Sequence, residues 1–201
     1  MKILAMSDTH RMHWRMGKLP DADLLIHTGD FSMIGTKEEA LDFLEWFTTL
    51  PHRYKVFICG NHDEALLFGN VKGLLSNCHY LNYSSVKIEG LKVYGIPFYV
   101  ERYDNKEAMT ELESIWERDI DILISHQPPY GILDYSEQYG NYGSRRLLSK
   151  IKELRPRYHI FGHIHEGYGM REKDGTTFIN CALMGENLER LVKRSFILEI
   201  C

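Results

Sequence analysis

The sequence predicts an α/β chain in which two β-sheets pack on each other with helices outside. Three observations carry that expectation. Short, nearly continuous apolar runs such as Ile3-Leu4-Ala5-Met6 and Val56-Phe57-Ile58-Cys59 suit strands buried on both faces. Stretches of helical spacing alternate with these runs, as in α/β proteins. Late runs sit at hairpin spacing, so some antiparallel pairing should accompany the parallel strands.

Ile3–Met6 and Leu24-Leu25-Ile26 are the first two strands. Thr36-Lys37-Glu38-Glu39 has the form of a capping box, and Ala40, Leu41, Phe43, Leu44 and Phe47 then recur at helical spacing. That helix should stop before Pro51, because the residue ahead of a proline is biased out of the α region. Val56–Cys59 follows as a strand. Val86-Lys87-Ile88 and Leu91-Lys92-Val93-Tyr94 flank Glu89-Gly90 and predict a hairpin. Glu107 to Trp116 is a second helix, with Ala108, Leu112, Ile115 and Trp116 on its apolar face. Ile122-Leu123-Ile124 is a strand. A third helix runs from about Gly143 to Leu154, with Leu147, Leu148, Ile151 and Leu154 on one stripe and Pro156 just beyond. Ile160-Phe161, Thr177-Phe178-Ile179 and Phe196 to Ile200 complete the strands.

Composition bounds the function. At 201 residues, 44% hydrophobic and 26% charged, the chain suits one domain over residues 1–201. A net charge of -4 argues against strong nucleic-acid binding and leaves a local basic patch open. The opening apolar run turns polar at Ser7-Asp8, too soon for a signal peptide, and no run approaches the roughly 20 residues needed to span a bilayer. A cytoplasmic protein with no membrane partner is expected. Cys59, Cys78, Cys181 and Cys201 are scattered, which suggests neither a disulfide framework nor a thiolate zinc site.

The chemistry lies where the apolar runs end. Asp8-Thr9-His10, Gly29-Asp30, Gly60-Asn61-His62-Asp63, His126 and Gly162-His163-Ile164-His165 each follow such a run. Asp, His and Asn offer oxygen and imidazole donors without thiolate, which suits borderline or hard divalent ions. A carboxylate can bridge two cations, and ions roughly 3.5–4 Å apart clamp the attacking and leaving oxygens of a displacement at phosphorus. Metal binding lowers the pKa of water from about 15.7 to about 7, so no Ser or Cys nucleophile is required. Any one of these short motifs could be a turn. Their order and spacing together make the argument.

The same ordered set resembles the calcineurin-like metallophosphoesterase superfamily. Ser-Asp-Thr-His at 7–10, Leu-Ile-His-Thr-Gly-Asp-Phe at 25–31, Phe-Ile-Cys-Gly-Asn-His-Asp at 57–63, Ser-His-Gln-Pro-Pro at 125–129 and Phe-Gly-His-Ile-His-Glu-Gly-Tyr-Gly at 161–169 are similar to small MPPED-type phosphodiesterases. The resemblance implies a four-layer αββα sandwich of two mixed sheets, and no cap domain is expected in 201 residues. It implies that Asp8, His10 and His165 hold one metal, that Asp30 bridges, and that Asn61, His126 and His163 complete a second site. His62 would face the substrate, with Asn61, and stabilise the phosphoryl group or protonate the leaving oxygen. Asp63 would orient that imidazole. The cofactors implied are two divalent ions, manganese (Mn²⁺) first, with Fe²⁺, Zn²⁺, Ni²⁺ or Mg²⁺ as alternatives. The partner is a small phosphorylated substrate, a phosphodiester such as a cyclic or other small nucleotide, attacked by a metal-bridging hydroxide. A catalytically weak metal-binding scaffold, a nuclease and a protein phosphatase are the alternatives, and the oligomeric state stays open.

Other residues are less specific. Arg145 and Arg146 could reach a substrate phosphate or be solvated charges at a helix start. His13 could line a pocket or lie on the surface, His27 suits a supporting role, and His52, His79 and His159 are structural. Tyr130, Tyr135, Tyr139 and Tyr142 crowd one loop, where they could stack on a base or pack on one another.

Overall fold

The computed structural model describes residues 1–67, 69, 71–97, 106–115, 117–185 and 190–200, with backbone alone for 106–109. The first half of the chain forms β1 (Lys2–Met6), β2 (Leu24–His27), α1 (Lys37–Thr49), β3 (Tyr54–Phe57), α2 (Glu64–Leu67), β4 (Cys78–Tyr80), β5 (Ser84–Ile88) and β6 (Leu91–Ile96). The second half forms α3 (Lys106–Glu113), β7 (Ile122–Ser125), β8 (Tyr135–Ser136), β9 (Gly140–Asn141), α4 (Arg145–Leu154), β10 (Tyr158–Phe161), β11 (Gly169–Lys173), β12 (Thr176–Asn180) and β13 (Phe196–Glu199).

Two mixed sheets result. One has the order β13-β1-β2-β3-β4, with β1 to β4 parallel and β13 antiparallel. The other has the order β11-β12-β10-β7-β6-β5, parallel except at its two edges. Successive strand residues point to opposite faces, and here both faces are covered. Ile3, Ala5, Ile26 and Val56 meet Val93, Ile122, Ile124 and Ile160 between the sheets. Leu4, Met6, Leu25 and Phe57 pack outward against Phe43 and Phe47 of α1, where Phe31 stacks on Phe43 at 3.9 Å. On the far side Tyr94, Leu123 and Phe161 meet Leu112, Leu147 and Ile151. The layers are therefore αββα, and the absence of polar alternation in the runs follows from that double burial.

Most expected elements form. Thr36 caps α1 by accepting the Glu39 N–H at 3.2 Å, and Leu50 is already extended ahead of Pro51. The buried face of α1 differs from the expectation: Leu41 is 55% exposed, whereas Trp46 is buried beside Phe43 and Phe47. The hairpin turns at Glu89 and Gly90, both at positive φ, with Val86 opposite Val93. Ser144 caps α4 through the Leu147 N–H, and Arg155 ends it in a left-handed conformation. In the second expected helix, α3, Leu112 and Ile115 are buried, while the Ala108 side chain and Trp116 lie outside the described residues. Strands β4 and β11 were not anticipated. The first is only three residues long, and the second, Gly-Met-Arg-Glu-Lys, is a mostly exposed edge with no apolar pattern. Among the described residues no helix is long and apolar enough to cross a membrane.

Candidate metal centre

The loops that leave β1, β2, β3, β7 and β10 carry the chemical motifs, and they are stitched together by backbone hydrogen bonds. Asp8 N–H donates to the Gly29 carbonyl at 2.9 Å, His10 N–H to Asp30 at 3.0 Å, and Gly162 N–H to His126 at 3.1 Å. The turns are sharp. Asp8 (φ 54°), His10 (φ 38°), Asp30 (φ 55°) and His163 (φ 70°) are all left-handed, a conformation that costs roughly 1–3 kcal/mol for a side-chain-bearing residue. Gly162 is required by close approach: a Cβ there would run into the Asp8 carboxylate and the Ser7 hydroxyl.

This geometry gathers three overlapping groups whose ligand atoms lie within 4.8 Å of one another: Asp8, His10 and His165; His10, Asp30 and His62; Asp30, His126 and His163. Asp30 Oδ2 is 3.3 Å from His126 Nε2 and 3.8 Å from His10 Nε2. Asp8 Oδ1 is 3.2 Å from His165 Nε2 and 4.0 Å from His10 Nε2. Asn61 Oδ1 lies 3.0 Å from His126 Nε2. Gly162-His163-Ile164-His165 does not present its two rings side by side. The left-handed His163 and the 3₁₀ turn that starts at His165 send one ring toward Asp30 and the other toward Asp8.

The donor set fits divalent cations in its protonation as well as its composition. His10 Nδ1 faces the Ser32 carbonyl at 3.0 Å, His126 Nδ1 the Thr28 carbonyl at 2.9 Å, and His165 Nδ1 the Gly185 carbonyl at 3.1 Å. A carbonyl can only accept, so each Nδ1 carries a proton and Nε2 is the nitrogen turned to the centre, where a metal can take the place of any proton it holds. Burial opposes ionisation of Asp8, and the hydrogen bond and charge of His165 overcome it, holding the carboxyl well below its usual range. Burial likewise opposes Asp30, and His126 holds it down. His126 is buried too, yet the Asp30 carboxylate raises it to about 9. Two buried, ionised carboxylates thus draw positive charge into the centre, and a divalent ion would displace the His126 proton.

Other expected residues fall elsewhere. Asp63 does not orient the His62 ring. Its Oδ2 accepts the N–H groups of Asp30 (2.7 Å) and Gly60 (2.8 Å), and its Oδ1 that of Ser32 (2.9 Å). Burial and the nearby Asp30 charge push it up to about 7. Asp63 is a buried brace for two loops. His62 instead fixes its ring by donating from Nδ1 to the Met33 carbonyl at 2.6 Å, and its own N–H donates to Asp30 Oδ1 at 2.8 Å. Arg145 stacks on Tyr130, 3.5 Å from the ring centroid, and does not line the cavity over the centre. His13 neither lines that cavity nor lies on the surface: it is buried and pairs with Asp42 at 3.0 Å.

That cavity, about 370 Å³, opens over His10, Asp30, Asn61, His62 and His163. Its outer wall is the β8–β9 hairpin, from which Ser136, Tyr139 and Tyr142 face inward, together with Glu166. Glu166 pins the hairpin by accepting from the Ser136 hydroxyl at 2.8 Å and the Glu137 N–H at 3.3 Å. The exposed Tyr139 and Tyr142 rings lie 5.5 Å apart, and Tyr142 is 6.0 Å from His163. The tyrosine cluster is a signal for this wall, whereas Glu166 lies within the motif at 161–169 with no role of its own legible there.

The family model described as calcineurin-like phosphoesterase matches residues 1–167. The chain belongs to that family. Its members are metal-dependent phosphoesterases acting on phosphorylated substrates. A UPF0046 protein of Caenorhabditis elegans is 36% identical over 205 residues, covering 90% of this chain and 69% of the relative. Human metallophosphoesterase domain-containing protein 1 is 33% identical over 221 residues, covering 94% and 68%. Among solved structures, Thermus thermophilus TT1561 superposes with a TM-score of 0.57 at 16% identity, over 89% of this calcineurin-like chain and 88% of the other. That likeness concerns the fold alone.

Proposed function

We propose that this calcineurin-like phosphoesterase is a dinuclear, metal-dependent phosphodiesterase acting on a small diester such as a cyclic nucleotide. The observation that supports it most is the position of Asp30, whose carboxylate belongs both to the group with His10 and to the group with His126 and His163. Asp8, His10 and His165 would hold one ion and Asn61, His126 and His163 the other, with Asp30 common to both. When bound, the ions supply Lewis acidity at the phosphoryl oxygens and a water acidic enough to attack near neutral pH. The chain supplies the rest. Backbone carbonyls keep His10, His126 and His165 in the Nε2-ligating form. His62, held by Met33, faces the cavity where a leaving oxygen would need a proton or a hydrogen bond. Tyr139 and Tyr142 offer ring faces beside the centre on which a nucleobase can stack.

Purified protein loaded with Mn²⁺ should hydrolyse bis-p-nitrophenyl phosphate faster than p-nitrophenyl phosphate, and a chelator should abolish both. Cyclic nucleotides, dinucleotides and phosphopeptides assayed side by side then place the substrate class. Preference for monoesters or phosphopeptides would replace the diesterase reading, and stoichiometric metal without turnover would leave a metal-binding scaffold.

A further inference from the structure

Among the described residues the net-acidic chain lines a concave surface of opposite sign. A groove of about 540 Å³ opens on the outer face of the five-stranded sheet, at its β13 edge. Its rim holds Arg15, Lys18 and Arg194, with Lys193 beneath them turned to the His165 carbonyl, and no acidic side chain is among the described residues lining it. With a formal charge of -4 on the whole chain, such clustering is a local reversal of the surface field. Arg15, Lys18 and Arg194 are exposed and form no ion pair with a described residue. The floor is aliphatic: Leu19 and Leu183 are buried at 8% and 1%, and Ile197, opposite Leu4 in the sheet, is 46% exposed. Beside this floor β13 pairs with β1 on one side and with no strand of the described residues on the other.

We propose that this groove docks an extended segment of a partner protein that alternates acidic and aliphatic residues. A strand added along an open sheet edge presents alternate side chains to one face. The aliphatic ones would meet Ile197 and the half-buried Met16 and Leu191 over Leu19 and Leu183, while the acidic ones reach the cationic rim. The recess of the floor favours a peptide over a lipid surface, because a planar bilayer cannot follow it. Arg15, Lys18, Arg194 and Ile197 form no hydrogen bond or ion pair with a described residue of the metal centre, so docking through them is separable from hydrolysis; Lys193, whose ammonium donates to the His165 carbonyl, is not varied.

The test is a titration of the fluorescein-labelled octapeptide Leu-Glu-Val-Asp-Leu-Glu-Val-Asp, followed by anisotropy at low and raised salt. Saturable binding that weakens with salt is expected, with no binding of the same peptide carrying Lys at its acidic positions. The double variant Lys18→Glu/Arg194→Glu should bind about tenfold more weakly or worse, and Ile197→Asp should lose binding. Both should keep the wild-type circular dichroism spectrum and metal-dependent turnover. Lys18→Ala/Arg194→Ala is the milder pair should charge reversal impair folding. Absence of saturable binding, or equal affinity in the variants, would overturn the proposal. So would capture by phosphatidylserine vesicles that the peptide does not displace, which would make a membrane the occupant.

Discussion

His10, His62, His126 and His165 each direct Nδ1 at a backbone carbonyl, and that shared device separates the ring's orientation from its chemistry. What differs is where Nε2 points. In His10, His126 and His165 it faces Asp8 or Asp30 within 4.0 Å, whereas His62 lies over the cavity with its ring edge-on to His10 at 4.9 Å. His62→Ala should therefore lower kcat by roughly 10²–10⁴ with metal content unchanged. Asp30→Ala should instead lose at least one ion, since it removes a donor from both sides of the centre. Elemental analysis beside steady-state kinetics distinguishes the two. Metal loss in His62→Ala would move that residue into the ligand set.

At the scale of elements, the start of α1 does more than cap a helix. Glu39 was legible as the end of a capping box, yet its Oε2 accepts the N–H groups of Met33, Ile34 and Gly35 at 3.1, 2.9 and 3.0 Å. It fixes the loop whose Met33 carbonyl holds His62. Burial alone would raise the Glu39 carboxyl, and these backbone donors hold it below its usual range. Glu39→Ala should lower Tm, because three inward N–H groups lose their acceptor. It should also lower kcat several-fold while metal content stays normal, with Glu39→Gln partly restoring both. An unchanged kcat would mean that Met33 keeps His62 in place unaided. The example marks what a linear pattern shows. Apolar runs ending in Asp, Asn and His made the strands and the metal-centre candidates visible, because each motif is local. The left-handed turns at Asp8, Asp30 and His163 were not visible, since nothing but packing against other loops selects them. Nor was the role of Asp63, whose acceptors serve loops far from it in sequence, or the Trp46-for-Leu41 exchange on α1, which tertiary packing decides.

Across the whole molecule, the fold keeps several imidazoles neutral in places water does not reach, and this ties stability to pH. His27 lies at the end of β2 and His159 within β10, one in each sheet, and both are fully buried. Gly29 N–H donates to His27 Nδ1 at 3.3 Å, so its proton sits on Nε2 and faces Thr9. Ser125 donates to the Gln127 carbonyl, so His159 Nε2 donates to Ser125 at 2.8 Å. Burial lowers both from 6.5 to about 3. The unfolded chain therefore binds more protons than the folded one between those values, and stability present above pH 6.5 is lost as pH falls toward 3. Each contributes a slope of roughly 1.4 kcal/mol per pH unit once its unfolded form is protonated. His13 is lowered as well and steepens the same trend. His126 does not offset it there: raised to about 9, it is protonated in both states at pH 5 and loses its contribution only as pH rises. Asp63 does offset it: raised to about 7, it binds its proton in the folded state while the unfolded carboxyl is ionised, and so cancels about one proton of the slope between pH 6.5 and 5. Urea titrations between pH 6.5 and 5 should thus show a net fall in unfolding free energy, and His159→Gln should reduce that slope by about one proton. A flat profile would mean that these rings are protonated in place, and an unchanged slope in the variant would exclude His159 as a source, because substitution removes its titration from both states.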